Sequence, residues 1–234
     1  MTARELHTQA ETARESGDFA TSLELTDRAF VSYIQEDDLL GASEVMCSRF
    51  NVFKHLHQQV SPQMADAYQV QAHHSVLVAV EIAQNSRLPQ ALALPYFNTG
   101  KYYQEFETDW QQAAIYFQKA FDNLNNFPPP NHDRLAVRID FQVHLLFARG
   151  MAGDDQVIPK LESLAQQLSS LDEDKYSKDV WTSGAYMRLA RLSHHFQKLP
   201  QVTSYIDKAA QIIDSNPSLT LRSQQLDELK KTLS

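Results

Sequence analysis

Asp109-Trp110-Gln111-Gln112-Ala113-Ala114-Ile115-Tyr116-Phe117-Gln118-Lys119-Ala120-Phe121-Asp122-Asn123-Leu124 is the stretch from which the fold can be read. Trp110, Ala113, Ala114, Phe117, Ala120, Phe121 and Leu124 recur at three- and four-residue steps, which places them on one stripe of an amphipathic helix. Thr108 and Asp109 offer side-chain oxygens to its first amides. The run Asn126-Phe127-Pro128-Pro129-Pro130-Asn131 stops it, because proline carries no amide donor. Ala120 is also one member of a series of small residues, Ala29, Ser75, Ala120, Ala165 and Ala209, at steps of 46, 45, 45 and 44. Ten residues before each stands a second series, Phe19, Ala65, Trp110, Asp155 and Leu199. An interval of this size in a helical sequence signals stacked helical hairpins, since one hairpin cannot bury its apolar face alone.

The same logic extends in both directions. Val157, Leu161, Leu164, Ala165, Leu168 and Leu171 form a stripe after Gly153-Asp154-Asp155, and Val202, Tyr205, Ile206, Ala209 and Ile213 form another after Lys198-Leu199-Pro200. Gly17-Asp18 precedes a helix carrying Phe19, Leu23, Phe30 and Ile34, and Ser61-Pro62 supplies an N-cap followed by an N1 proline. Each of these helices has a partner before it. The pairs fall at about 3–36, 38–84, 88–126, 132–171 and 176–214, with a capping helix at about 217–233. The expected fold is all-α, a right-handed α-solenoid of five hairpins in a single domain.

Composition narrows the function. The formal charge of −8 argues against a nucleic-acid binder, which carries a basic face. The lone Cys47 rules out an intramolecular disulfide and any zinc site needing two thiolates. The start, MTARELHTQAE, lacks the apolar core of a secretory signal, and no window is apolar enough to span a membrane. A cytoplasmic location is the expectation. His73-His74 and His194-His195 are adjacent, and His55 and His57 are two apart, so no pair has the i, i+4 spacing of zinc-binding helices. Neither a phosphate-binding glycine loop nor a Gly-x-Ser-x-Gly elbow occurs. No metal, cofactor or catalytic residue is expected. The runs Glu36-Asp37-Asp38 and Asp172-Glu173-Asp174 fall at helix boundaries, where carboxylates favour the positive ends of the following helices.

Tyr96-Phe97-Asn98-Thr99-Gly100-Lys101-Tyr102-Tyr103, followed by Asp109-Trp110-Gln111-Gln112-Ala113 and Tyr116-Phe117-Gln118-Lys119-Ala120-Phe121, resembles a tetratricopeptide (TPR) repeat. One residue is extra between Gly100 and Asp109. Gly17-Asp18-Phe19 with Ala29, and Tyr205-Ile206-Asp207-Lys208-Ala209-Ala210, repeat parts of the pattern, with Ala190 standing where Gly100 stands. The long repeat is similar to the peptide-sensing TPR domains of the Gram-positive Rap, PlcR and NprR regulators. Because the chain starts directly with its first hairpin, that kinship implies a stand-alone sensor or adaptor.

The resemblance places the first helix of each hairpin on the concave face. It therefore implies a peptide-binding set of Asn98 and Lys101, Asp140 and His144, and Arg188, Arg191 and His194. Most of these side chains are basic, which suits a partner peptide or protein segment bearing a carboxylate or acidic group. The competing view is that they form a solvated helix face. The leading function is non-enzymatic peptide or protein binding. Two alternatives are a Rap-type regulator or phosphatase relative lacking its effector module, and a self-assembling structural protein such as a homodimer.

Overall fold

The computed structural model describes residues 1–233, and every regular element among them is helical. Eleven α-helices follow in order: α1 (Ala3–Glu15), α2 (Phe19–Gln35), α3 (Leu39–Gln59), α4 (Pro62–Asn85), α5 (Ala93–Tyr102), α6 (Trp110–Asn126), α7 (Leu135–Met151), α8 (Val157–Ser170), α9 (Lys175–His195), α10 (Leu199–Asp214) and α11 (Thr220–Leu233). They pack in sequence-adjacent pairs, the arrangement of an all-α helical-repeat protein. Two compact units divide the chain, Met1–His132 and Asp133 onward.

The first unit holds α1 to α6. Ala29 and Ala120 are fully buried and Ser75 nearly so, each on the second helix of its hairpin. Small residues there let the neighbouring helix backbone approach closely. Gly100 is the matching contact on α5: a methyl group on it would meet the Phe117 ring at 2.7 Å. Phe50, Phe53, Ala72, Val76 and Tyr102 form one apolar cluster, and Ala3, Leu6, Ala29, Tyr33, Ala42 and Val45 form another.

Helix ends repeat a common device. A residue in the left-handed region ends one helix, and the next residues start its neighbour. Gly17, Asp37, Arg87, Thr108, Gly153 and Gln197 all take positive φ between 53° and 111°. Asp18, Asp38 and Asp109 follow directly and cap α2, α3 and α6 by accepting from the amides of Thr21, Gly41 and Gln112 at 3.1, 2.8 and 2.9 Å. Asp174 does the same for α9 through Ser177.

The helix expected from about residue 88 to 106 is composite. A 3-10 turn at Pro89–Leu92 leads into α5, and a π turn at Tyr103–Glu107 ends it. The π turn absorbs the extra residue between Gly100 and Asp109, bringing Asp109 N to Tyr103 O at 3.1 Å.

The second unit holds α7 to α11. Ala165 and Ala209 are fully buried, with Leu161, Leu168, Leu189 and Leu192 beside them in the apolar interior. In its first hairpin the close-approach residue is Gly150, where a methyl group would meet Leu192 at 2.6 Å and Val157 at 2.9 Å. Helix α7 starts at Leu135 rather than near 132, because residues 127–134 form a proline-rich connection. Helix α11 packs on α9 and α10, as expected of a cap.

Candidate functional site

In the second unit, Asp140 and His144 stand one turn apart on α7, and Gly184 and Arg188 stand one turn apart on α9. Spacing of i, i+4 puts each pair on a single face, and the two helices pack together. Arg188 Nη2 lies 2.6 Å from His144 Nε2, and Arg188 Nη1 donates to the Gly184 carbonyl at 3.0 Å. A guanidinium can only donate, so Nε2 of His144 accepts and the ring is neutral with its proton on Nδ1. Asp140 Oδ1 lies 4.0 Å from the same Nε2. His144 is only 4 % exposed, whereas Asp140 and Arg188 are half-buried.

A second guanidinium joins this group. A methyl group on Gly184 would lie 3.1 Å from Arg188 Nη1 and 3.3 Å from Arg222 Nη2, so the two arginines converge over the bare backbone of Gly184. Arg222 Nη1 donates to Gln225 on its own helix at 2.7 Å. The face therefore brings together two guanidiniums, one imidazole and the carboxylate of Asp140. A guanidinium presents parallel N–H donors whose spacing matches the two oxygens of a carboxylate.

Arg191 and His194 do not join them. Arg191 lies over the fully buried Phe147 ring at 5.3 Å and serves packing as well as charge. His194 is exposed in the last turn of α9, and six residues from Arg188 turn it to another side of the helix. By spacing, His195 stands nearer the Arg188 face.

Asn98 and Lys101 belong to the first unit. Asn98 is 3 % exposed, its Nδ2 donates to Leu94 O at 3.0 Å, and it lies beside the Cys47 thiol. It is an interior residue, not one open to a ligand backbone as its place in the repeat pattern implies. The reason is tertiary: α3 is buried on nearly every side from Gly41 to Ser48, and α5 packs against it, so this face of α5 is covered. Burial pushes the Cys47 thiol well above its ordinary range. Lys101 is half-buried with its ammonium 4.6 Å above the Phe97 ring.

The larger polar assembly of the first unit was not legible as a motif. His7 Nε2 meets Ser48 Oγ at 2.8 Å and His7 Nδ1 meets Tyr33 Oη at 3.4 Å. Arg4 Nη1 donates to Glu44 Oε2 at 3.2 Å, and Arg14 pairs with Glu11 at 2.8 Å and with Glu15. Burial lowers the pKa of His7 and so favours its neutral ring. Glu44 is also buried, which opposes its charge, yet His132 and Arg4 together hold its carboxyl below the usual range. These residues come from α1, α2, α3 and the α6–α7 connection at unrelated sequence spacings, and Arg222 lies in a segment readable only as a cap.

Among the described residues, no three His, Cys, Asp or Glu side chains are grouped to hold a metal ion, and no helix is long and apolar enough to cross a membrane. The sequence matches no protein-family model and no curated protein.

Proposed function

We propose that this chain is a non-enzymatic binding scaffold whose second unit takes a peptide or protein segment bearing a carboxylate on the α7–α9 face. The observation that carries this reading is the convergence of Arg188 and Arg222 over Gly184, with His144 against Arg188. Two guanidiniums that converge on one stretch of backbone present N–H donors matching the two oxygens of a carboxylate. The TPR resemblance agrees, since it implies that the first helices of the hairpins form the binding side. A cytoplasmic setting belongs to the same reading, in keeping with the single free and buried Cys47.

The test starts from a displayed random peptide library selected on the immobilised protein. Selected peptides are then made with a free C-terminal acid and as amides, and titrated against wild type, Arg188→Gln and Arg222→Gln. The expected result is at least tenfold weaker binding in both variants, with a stronger loss for acidic peptides. Melting temperatures guard against unfolding as the cause. Selected peptides that bind both variants as tightly as wild type would sink the assignment.

A further inference from the structure

One turn before Gly184 on α9 stands Trp181. Gly184 and Arg188 follow it by three and seven residues, steps that return to one side of a helix. The Trp181 ring is half-buried, so part of it faces solvent. Arg134 lies over it with Cζ 5.4 Å from the ring centroid, and Arg134 Nη1 donates to Glu173 Oε2 at 3.0 Å, which keeps the cation in place against the indole. Three contacts set the direction of the surface. Arg134 meets Trp181, His144 meets Arg188 and Arg191 meets Phe147. The α9 partners advance in the same order as those at α7, at separations of 47, 44 and 44 residues, so the two helices run side by side in one direction. Along their shared edge an aromatic ring is followed by the bare Gly184 backbone with its two guanidiniums.

We infer, resting on Arg188 and Arg222 as the carboxylate site, that Trp181 reads a second position of the same partner: an extended segment bearing an aromatic side chain two residues from its acidic group. The spacing carries this. Trp181 precedes Gly184 by about 4.5 Å of helix rise and Arg188 by about 10.5 Å. In an extended peptide, side chains two residues apart share a face and stand about 6.7 Å from one another. That separation falls between the two rises. A segment lying along the edge with its carboxylate at Arg188 and Arg222 therefore brings the residue two positions away onto Trp181. An aromatic side chain is favoured there over an aliphatic one, because ring–ring contact adds to the gain from buried area. The residue between the two points away from the α9 edge and is left unrestricted.

Selection of a displayed random peptide library on wild type, Trp181→Leu and Arg188→Gln separates the two positions. Wild type should enrich acidic residues with Phe, Tyr or Trp two places away. Trp181→Leu should keep the acidic preference and lose the aromatic one, and the retained preference shows that the variant is folded. Arg188→Gln should lose the acidic preference. Replacing the aromatic residue of a selected peptide by Ala should weaken binding about three- to tenfold in wild type and leave Trp181→Leu unaffected. In a Trp110→Phe background Trp181 is the sole tryptophan, and saturation with a selected peptide should shift its emission. Acidic enrichment with no aromatic residue at that spacing, or an aromatic preference that persists in Trp181→Leu, overturns the role of Trp181 and leaves the carboxylate site standing. Emission that does not move on saturation overturns it as well, with no change made at Trp181. A wild type that enriches no acidic residue removes the carboxylate site, and the second position with it.

Discussion

Gly100→Ala puts the repeat reading to its sharpest test, because it adds one methyl group where two helices come closest. The new Cβ would lie 2.7 Å from Cδ1 and Cε1 of Phe117 and 3.0 Å from its Cγ. The ring must retreat by about 0.8 Å to reach the separation at which carbon atoms rest. Phe117 is fully buried and its ring centroid stands 5.4 Å from that of Phe97, so the retreat displaces other core atoms. Overpacking of this kind costs about 3 kcal/mol at the upper end of the usual range. Replacing glycine by alanine inside a helix returns about 1 kcal/mol. The net loss should be about 2 kcal/mol, confined to the first unit. Each unit carries one tryptophan, Trp110 on α6 and Trp181 on α9, so a Trp181→Phe background isolates the first unit in urea unfolding followed by fluorescence. Gly150→Ala is the internal comparison, read from Trp181 in a Trp110→Phe background. Its clashes at 2.6 and 2.9 Å are with a Leu192 methyl, at the end of a flexible side chain, and with a methyl of the stiffer Val157, so its loss should be smaller, below about 2 kcal/mol. A Gly100→Ala protein as stable as its parent would refute the claim that close approach, not helix propensity, fixes glycine there.

Two further outcomes follow from the fold. Thr108 holds a φ of 53°, a strained conformation for a β-branched residue, so Thr108→Gly should stabilise the first unit by about 0.5–1 kcal/mol in the same urea assay; a loss of stability would mean that the Thr108 side chain holds the turn. His7 has its pKa lowered by burial, so its contribution is fully present above the unfolded value of 6.5 and is lost as pH falls from there through the lower folded value. Stability measured from pH 7.5 to 5 should therefore decline more steeply in wild type than in His7→Gln, and equal slopes would remove His7 as the cause.

Much of the architecture was readable from residue spacing. The stripe from Trp110 to Leu124 became α6, and the small-residue series fell on the second helix of every hairpin, because both depend on local periodicity that a helix converts directly into a face. The extra residue after Gly100 was visible too, though only the backbone could turn it into a π turn. The candidate face was readable in part. Asp140, His144 and Arg188 came together because an i, i+4 step fixes which side of a helix a residue occupies.

What spacing could not supply was depth and partnership. Asn98 occupies the position its motif implies, yet α3 covers it, and no interval along α5 encodes the neighbour that buries it. Arg222 reaches Gly184 only because α11 packs back on α9, and Glu44 meets His132 only because a proline-rich connection returns to α3. The sequence by itself determined the helices, their ends and the faces they present, since these follow from backbone periodicity and capping within a few residues. The tertiary structure alone decided which polar groups on those faces are covered and which charges meet, because burial and electrostatic contact depend on residues about forty or more positions apart that no local pattern connects.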